Sequence, residues 1–254
     1  MSDNQNSNKI YLFVDGPNCY KSSQDPSAFR IDIKKLVKVL EDKYGKIEKF
    51  FWYDVEPEIS PIDLARVQTP TLKNILEALS KEKKAEKSLE SIIAEHTNNI
   101  PSDNKKDDLI KEAINLAYSI EKTKLDYQKK VSFLNMIEKN KAEVILEKGK
   151  SFKYDVECPN CGENFSFFEK TEGGTTDFNL AIDLISYGLR NLYDTAILVS
   201  GDGHFVRPVN YIREAGKKVI VASFDHSFNK ELKNAASEVI ILNDLIEKIS
   251  RKFK

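Results

Sequence analysis

Lys9-Ile-Tyr-Leu-Phe-Val-Asp15-Gly-Pro-Asn18 is the stretch that decides the fold, because it has the pattern of a buried strand that ends at an aspartate. A continuous apolar run of this length is typical of a strand covered on both faces of a parallel sheet. Gly16-Pro17 then ends the strand in a turn. Taken alone, this stretch would equally suit an Asx-type turn, in which the polar side chains bond only local backbone.

Two more acidic turns make a metal site the better interpretation. In the segment 173–183 a glycine-rich loop opens a helix with Asp177 in its first turn, and an apolar strand from Thr195 leads to Asp202. Ligands of open α/β sheets bind just beyond the carboxyl ends of the strands. Carboxylates gathered there repel one another unless a cation lies between them, and their hard oxygens suit Mg²⁺ or Mn²⁺. Together with Asp15, these turns predict a Mg²⁺ or Mn²⁺ site.

Helical phase separates the two aspartates of the second turn. At about 100° per residue, Asp177 lies near the edge of an apolar stripe, whereas Asp183 falls on the polar side with Arg190. The stripe consists of Phe178, Ala181, Ile182, Ile185 and Leu189. We therefore expect Asp177 to bind the metal. Asp183 is expected to lie behind the ligands, or to make a purely structural contact with Arg190.

Strand-like runs alternate with helical runs towards both ends of the chain, which favours βαβ units and a mainly parallel sheet. The predicted strands are 10–14, 47–53, 144–147, 196–200 and 218–222. The predicted helices are 31–44, 177–191 and 205–215, and the tail from 231 to 252 adds a short helix, an apolar run and a last helix. The fold class that these runs predict is α/β.

The middle of the chain has a different composition. Residues 57–126 are rich in lysine and glutamate, with leucine and isoleucine at helical spacing on either side of a turn around Pro101. This pattern predicts an α-helical hairpin inserted into an α/β core formed by residues 1–56 and 127–254. Its charges suit solvated helix faces, while a clamp or a dimerisation arm is the alternative.

Composition narrows the classes of protein that the chain can represent. Its 254 residues contain no apolar run long enough for a membrane span, and the N-terminal residues lack a signal-peptide core. Three cysteines argue against a disulfide framework and suit a reducing compartment, so we expect a cytoplasmic protein. The net charge of −1 gives no general attraction to nucleic acid, so such a partner would need a local basic patch or the metal.

Cys158-Pro-Asn-Cys161 resembles a zinc knuckle, a tight turn that presents two thiolates to one metal. A structural zinc site has four ligands, and the chain holds no second pair at this spacing. The aromatic flanks favour a β-hairpin over residues 151–170. We expect the knuckle to be empty or to share zinc between two copies in a homodimer.

The three acidic turns, taken together, resemble the NYN domain of the PIN-like nuclease superfamily, in its LabA-like branch. The resemblance rests on Phe13-Val-Asp15-Gly-Pro-Asn18, Asp177-Phe-Asn-Leu-Ala-Ile-Asp183 and Leu198-Val-Ser-Gly-Asp202-Gly-His-Phe205, and the continuation to Val221 also fits. It covers residues 9–56 and 127–245 and leaves out the helical insertion. It implies a Rossmann-like, three-layer domain with a Mg²⁺- or Mn²⁺-dependent ribonuclease site. Asp15, Asp177 and Asp202 would be metal ligands, and Asn18 would orient a ligand or the substrate.

One position departs from the family pattern. The family usually has a second acid two residues after the strand-end aspartate, and this chain has His204 there. The substitution removes negative charge from the site. His204 would then shuttle a proton or bind phosphate, or would have only a structural role at the helix start. Ser200 is expected behind the ligands, and Lys21 and Arg207 are candidates for RNA contact.

The function that these observations favour is metal-dependent hydrolysis of RNA phosphodiester bonds. The alternative is a catalytically weak or inactive NYN-type protein that binds RNA or serves as a scaffold. A phosphatase with an aspartyl nucleophile has little support, because Asp15-Gly-Pro lacks the second aspartate that such enzymes place two residues on.

Overall fold

A computed structural model describes residues 8–22, 31–57, 122, 125–148, 150–157, 164–171 and 176–251. By contacts the chain divides into two compact units. The first consists of Met1–Glu56, Leu134–Tyr154 and Phe167–Lys254, and the second of Pro57–Phe133 and Asp155–Ser166. Among the helices that the structure describes, none combines the length and the hydropathy that a membrane crossing needs.

Within the described part of the chain, eight strands form two sheets. They are β1 Ile10–Asp15, β2 Ile47–Val55, β3 Glu143–Glu147, β4 Lys150–Glu157, β5 Asn164–Thr171, β6 Thr195–Val199, β7 Lys218–Ser223 and β8 Glu238–Ile241. Six of them make one sheet in the order β3-β2-β1-β6-β7-β8, and every neighbouring pair in it is parallel. β4 and β5 pair in a separate two-stranded sheet. The prediction of an α/β fold with a mainly parallel sheet is confirmed.

Helices connect the strands of the main sheet. They are α1 Gly16–Ser22, α2 Ile33–Tyr44, α3 at residues 125–139, α4 Thr176–Leu189, α5 Val206–Glu214, α6 Lys230–Ala235 and α7 Ile246–Ile249. Short 3-10 turns lie at Gly203–Phe205, Asp225–Ser227 and Leu242–Leu245. The predicted helices at 31–44, 177–191 and 205–215 agree with α2, α4 and the pair formed by the first 3-10 turn and α5.

Local sequence explains how α2 begins and ends. The side chain of Asp32 accepts a hydrogen bond from the backbone of Lys35 and so caps the first turn. Gly45 ends the helix with φ of 106°, a conformation that strongly favours glycine. The helix between β1 and β2 therefore has both of its boundaries encoded locally.

The order of the strands reverses direction between β1 and β6. From β1 the chain continues to β2 on one side, whereas from β6 it continues to β7 on the other side. β1 and β6 are themselves paired, with Val14 opposite Val199. At such a switch point the loops leave the two strands in opposite directions, which opens a crevice at their carboxyl ends. The first and third acidic turns meet at this crevice.

Aromatic side chains fill the core between the sheet and α4. Phe13 stacks on Phe51 with ring centroids 5.4 Å apart, and Tyr193 meets Phe13 edge-on at 5.9 Å. The hydroxyl of Tyr193 donates to the carbonyl of Leu184 at 2.5 Å, so the core also holds α4 by a buried polar contact. Such contacts fix the helix that carries Asp177 against the strand that carries Asp15.

The orientation of α4 differs from the simplest interpretation of its apolar stripe. Leu180 and Leu184 lie against the sheet, whereas Phe178, Ile182 and Leu189 face solvent. α4 is therefore apolar on two sides, and the apolar stripe alone could not show which side meets the core. Asp183 turns towards the sheet, where its carboxylate accepts a hydrogen bond from Tyr53 of β2.

Two predictions lie outside the described residues in whole or in part. Most of the proposed helical insertion at 57–126 does, and so do Cys158 and Cys161. Helix α3 begins within the last residues of the proposed insertion and continues to residue 139. The boundaries 1–56, 57–126 and 127–254 stay a prediction, as does zinc at the knuckle.

Candidate metal centre

Polar groups from all three acidic turns meet at the carboxyl ends of β1 and β6. Oxygen or nitrogen atoms of Asp177, Asp202 and His204 lie within 4.8 Å of one another, which suits coordination of a single ion. Asp15 ends β1 beside them, and both Asp177 and Asp202 act electrostatically on its carboxyl group. The chain therefore gathers acidic groups from residues 15, 177 and 202 at one edge of the sheet.

Asp15 is the buried member of the group. Its Oδ1 accepts a hydrogen bond from the backbone of Asn18 at 3.0 Å, and its Oδ2 accepts one from Ser200 Oγ at 2.8 Å. Burial nevertheless raises the pKa of Asp15 to about 6, and the charges of Asp177 and Asp202 raise it further against the effect of those hydrogen bonds. A cation beside it would favour the ionised form.

Ser200 connects the first acidic turn to the third. Its hydroxyl donates to Asp15, and the same oxygen accepts from the backbone N–H of Asp202 at 3.1 Å. Ser200 is buried, so water does not compete for these bonds. The position of Asp202 is thereby tied to that of Asp15, which agrees with a place for Ser200 behind the ligands.

Asn18 makes a second connection between the same two turns. Its side-chain Oδ1 accepts a hydrogen bond from the backbone N–H of Gly201 at 3.0 Å. The amide oxygen therefore holds the β6 turn in this structure, whereas the family resemblance implied that it would orient a ligand or the substrate. The Asp15-Gly-Pro-Asn18 motif does not predict this hydrogen bond, because the donor is a backbone group 183 residues away along the chain.

The β6 turn also rests on the loop between β7 and α6. A Cβ atom at Gly201 would lie 2.2 Å from the carbonyl oxygen of Ser227, so only glycine fits. The carbonyl of Gly201 in turn accepts a hydrogen bond from the backbone of Asn229 at 2.9 Å. The loop Ser223–Asn229 thus supports the turn that carries Asp202, and the sequence pattern did not indicate this support.

Asp177 opens α4 at the rim of the cluster and is half-buried. Burial raises the pKa of Asp177, and the charge of Asp202 adds to this effect. His204 and Lys21 act in the opposite direction through their positive charges. Lys21 therefore lies within electrostatic range of the site, as its selection for RNA contact requires.

His204 lies between two carboxylates with its side chain largely in solvent. Its Nδ1 is 3.2 Å from Asp202 Oδ1 and 3.7 Å from Asp177 Oδ2, and the side chain is 80% exposed. Its backbone N–H also donates to Asp202 Oδ1 at 2.9 Å. This geometry favours a role for His204 at the site over a purely structural role, because the exposed side chain contributes nothing to the core.

Thr176 precedes Asp177 and has an unusual buried hydroxyl. The residue is 1% exposed, and its Oγ1 has no hydrogen-bond partner within the part of the chain that the structure describes. A buried hydroxyl left without a partner costs about 1–3 kcal/mol. Water held in the coordination shell of an ion is one group that would satisfy it.

The donor set fits a hard divalent cation. Two carboxylates and an imidazole converge, with a third, buried carboxylate close by. Carboxylate oxygens suit Mg²⁺ and Mn²⁺, while an imidazole ligand is more usual for transition metals. Asp177, Asp202 and His204 could hold the ion directly, with Asp15 positioned to join them.

Asp54 is an acid that the sequence interpretation missed. It lies at the carboxyl end of β2, is 1% exposed, and accepts hydrogen bonds from Trp52 Nε1 at 3.1 Å and from the backbone of Val55 at 2.8 Å. Its strand ends in Phe51-Trp-Tyr-Asp54, the same pattern as Phe-Val-Asp15, and this signal could have identified it. The hydrogen bonds give it a structural role beneath α1.

Two other predicted residues, Asp183 and Arg207, lie on α4 and α5. Asp183 Oδ2 accepts a hydrogen bond from the hydroxyl of Tyr53 at 2.8 Å, so it anchors α4 to β2. Arg207 is exposed in the first turn of α5, three residues after His204. Cys19, the described cysteine, is buried, and burial raises the pKa of its thiol to about 12, so it stays protonated.

Comparisons with known proteins find curated relatives that match part of the chain and a solved structure that aligns with most of it. The chain is 36% identical over 78 residues to "Low amplitude and bright protein LabA" of Synechococcus elongatus, which covers 30% of this chain and 41% of the relative. It is 30% identical over 95 residues to an uncharacterised protein of Methanocaldococcus jannaschii, covering 36% and 40%. The chain thus spans about two fifths of the length of the curated relatives it matches. A crystal structure of a protein of unknown function from Vibrio parahaemolyticus aligns with 96% of this chain and 97% of that chain, at 16% identity and a TM-score of 0.49.

The match to a protein family covers far more of the chain. The NYN domain matches residues 9–243, which include all three acidic turns and the whole six-stranded sheet. This agrees with the resemblance carried by Asp15, Asp177 and Asp202. The chain belongs to the NYN domain family.

Proposed function

We propose that this protein is a metal-dependent ribonuclease that hydrolyses RNA phosphodiester bonds with Mn²⁺ or Mg²⁺. The observation that carries the proposal is the convergence of Asp177, Asp202 and His204 within 4.8 Å at the edge where Asp15 ends β1. Membership of a family of nuclease-like domains supports the same chemistry. When bound, the ion would polarise the phosphoryl group and lower the pKa of an attacking water.

Each residue of the site has a defined part in this proposal. Asp177 and Asp202 supply ligand oxygens, and Asp15 contributes a carboxylate whose ionised form the cation would stabilise, because burial raises its pKa to about 6. Ser200 and Asn18 hold the two strand-end turns in register. Since His204 is the most exposed of the converging groups, it is placed to contact an RNA phosphate or to pass a proton to solvent.

The experiment is RNA cleavage by the purified full chain. A panel of labelled single-stranded and structured RNAs is incubated with Mn²⁺, with Mg²⁺ and with EDTA, beside the Asp15→Asn/Asp202→Asn double variant. We expect cleavage with Mn²⁺ that both EDTA and the double variant abolish. As a matched control, Asp194→Asn removes an exposed aspartate that bonds Lys9 and lies outside the cluster, and it should keep full activity.

The rival function is an RNA-binding scaffold without catalysis. The observation in its favour is His204, which leaves the cluster with one carboxylate fewer than the family pattern. A scaffold would bind RNA equally well in EDTA and would release no product. A folded protein that binds Mn²⁺ and cleaves no RNA of the panel would replace the ribonuclease proposal with this one.

A further inference from the structure

Helix α4 presents apolar side chains to solvent as well as to the core. Phe178, Ile182 and Leu189 are 64%, 45% and 50% exposed, although the opposite side of the same helix is buried. The described residues include eight exposed large apolar side chains, and three of them lie on this one helix. A helix that is apolar on both sides is typical of one covered on both sides, so the outward face is a candidate interface.

The spacing of these residues is that of a helix-pairing seam. We define the outer stripe as Phe178, Ile182, Ile185 and Leu189. Steps of four, three and four residues alternate along it, which is the a/d pattern of coiled coils. Ile185 is half-buried in the middle of the stripe and also packs against the core, which makes the seam rigid at its centre.

The flanks of the stripe permit close approach of another helix. Ala181 and Ser186 are small, and Asn179 is uncharged, so the positions that border the seam carry no net charge. Charged side chains at such positions would set partner choice by attraction or repulsion. Their absence among these flanking positions favours a partner that matches the stripe by shape, as an identical helix does.

We propose that the outer stripe is a homodimer interface, in which α4 packs antiparallel against α4 of a second copy of this chain. A two-fold axis would pass between Asp183 and Leu184. Phe178 would then face the partner's Leu189, and Ile182 would face the partner's Ile185. These pairs are the a–d layers of an antiparallel seam, and one patch serves both copies, as an isologous interface requires.

Charge at the two ends of α4 selects the second copy in this direction. The helix has Asp177 in its first turn, and the exposed Arg190 follows its last residue. An antiparallel pair opposes the two helix dipoles and sets the acidic end of each helix at the level of the basic end of the other. A parallel pair would place like charges together at both ends.

The area of the stripe sets the strength of the dimer. Its three exposed side chains offer roughly 300 Å² of apolar surface, within the range of functional patches on single proteins. Two copies of the stripe together bury roughly 600 Å² of apolar surface, so the interface falls in the range of weak and transient interfaces, below about 1,200 Å². The dimer is therefore weak, with a dissociation constant on the order of micromolar.

The first test is sedimentation equilibrium of the full chain over protein concentrations from about 1 to 200 μM. We expect a reversible shift from monomer to dimer in the wild type, and a dissociation constant raised at least tenfold by either Ile182→Lys or Leu189→Lys. Val239→Lys is the matched control, because Val239 is 36% exposed on β8, the edge strand at the opposite end of the sheet from β3, which α4 contacts, and it should dimerise as the wild type does. Circular dichroism and thermal unfolding establish that each variant is folded.

Two outcomes would overturn the proposal. A wild type that stays monomeric at every concentration excludes a second copy as the occupant of the stripe. A dimer that survives both lysine substitutions places the interface elsewhere, for example on the proposed insertion or the cysteine knuckle.

Disulfide cross-linking tests the direction of the pair. In a Cys158→Ser/Cys161→Ser background, the Ile182→Cys/Ile185→Cys chain should form a covalent dimer on mild oxidation, because residue 182 faces residue 185 across the axis. Cys19 is buried and does not interfere. Ile182→Cys alone should cross-link much less, since an antiparallel pair separates the two copies of that residue. Equal cross-linking by the single variant would overturn the antiparallel arrangement.

Discussion

Burial dominates the chemistry of Asp15, the residue on which the candidate site rests. Its carboxyl group receives two hydrogen bonds, and still its pKa rises to about 6, because removal from water outweighs them. The two neighbouring aspartates act in the same direction. Without a cation, ionised Asp15 is therefore a source of instability that metal binding would relieve.

This conclusion predicts how stability depends on pH. Because the folded pKa of Asp15 lies above its ordinary value of 3.8, the folded state binds the proton more tightly, and stability falls as pH rises from about 4 through 6. The rise of the pKa from 3.8 to about 6 corresponds to about 3 kcal/mol. We expect Asp15→Asn to remove this loss. In EDTA, the free energy of unfolding of the variant relative to that of the wild type should therefore increase by up to that amount between pH 4 and pH 7.5. Urea unfolding at several pH values measures it.

Metal provides the control for that experiment. With saturating Mn²⁺ at pH 7.5 the wild type should be more stable than Asp15→Asn, since the ion stabilises the wild type more than it stabilises the variant. A free-energy difference between the two proteins that stays constant with pH in EDTA would show that Asp15 titrates normally.

The imidazole of His204 leads to a prediction about which metal the site prefers. An imidazole among carboxylates favours Mn²⁺ over Mg²⁺, whereas an aspartate at this position would return the site to oxygen ligands alone. We expect His204→Asp to tighten Mg²⁺ binding about tenfold or more, and His204→Asn, the neutral control, to weaken Mn²⁺ binding. Isothermal titration with each metal gives both constants. Unchanged Mn²⁺ affinity in His204→Asn would remove His204 from the ligand set.

At the scale of elements, the loop after β7 supports the turn after β6. The prediction is that Gly201→Ala destabilises the protein by about 2–3 kcal/mol, because its Cβ would overlap a backbone carbonyl that cannot move without the loop. Gly203→Ala is the matched comparison, since its Cβ would meet the side-chain amide of Asn229, and a shift of that side chain would weaken only the N-cap of α6 without displacing a backbone carbonyl. Denaturant unfolding should show a smaller loss for Gly203→Ala. Equal losses would mean that the Ser223–Asn229 loop adapts freely.

The elements themselves were largely predictable, because their signals are local. The strand that ends at Asp15 and the helix that ends at Gly45 follow from an apolar run and from a residue that tolerates positive φ. Helix α4 shows the limit of periodicity. Its clearest apolar stripe faces solvent, and the core side was decided by the contacts of Leu180 and Leu184, which no helical wheel contains.

The candidate site was predictable only in part. Strand ends and glycine turns indicated the aspartates at residues 15, 177 and 202, because carboxyl ends of parallel strands meet at one edge. The contacts that connect the turns could not be predicted. The bonds from Ser200 to Asp15 and from Gly201 to Asn18 each join residues more than 180 positions apart. Such pairings depend on strand order, which the sequence of one chain does not contain.

At the scale of the whole molecule, the first compact unit holds every residue assigned to the site. Asp15, Asp177 and Asp202 all belong to the first compact unit, and so do the six strands of the main sheet. The connection from β2 to β3 returns to this unit through α3, whose Leu134 and Ile137 are buried. Residues 58–121 should therefore be dispensable for the α/β core and for metal binding.

We expect a chain in which a Gly/Ser linker of about 15 residues replaces residues 58–121 to fold cooperatively, since such a linker reaches roughly 20 Å and leaves α3 intact. Thermal unfolding should give one transition, raised by Mn²⁺ as in the full chain, and Asp177→Asn in the shortened chain should abolish that increase. The Asp177→Asn control separates specific binding from a general salt effect, because it alters one ligand and leaves the rest of the chain unchanged. A shortened chain that is insoluble or unfolds without a transition would show that the core needs the removed residues, and the predicted boundaries of the insertion would be wrong.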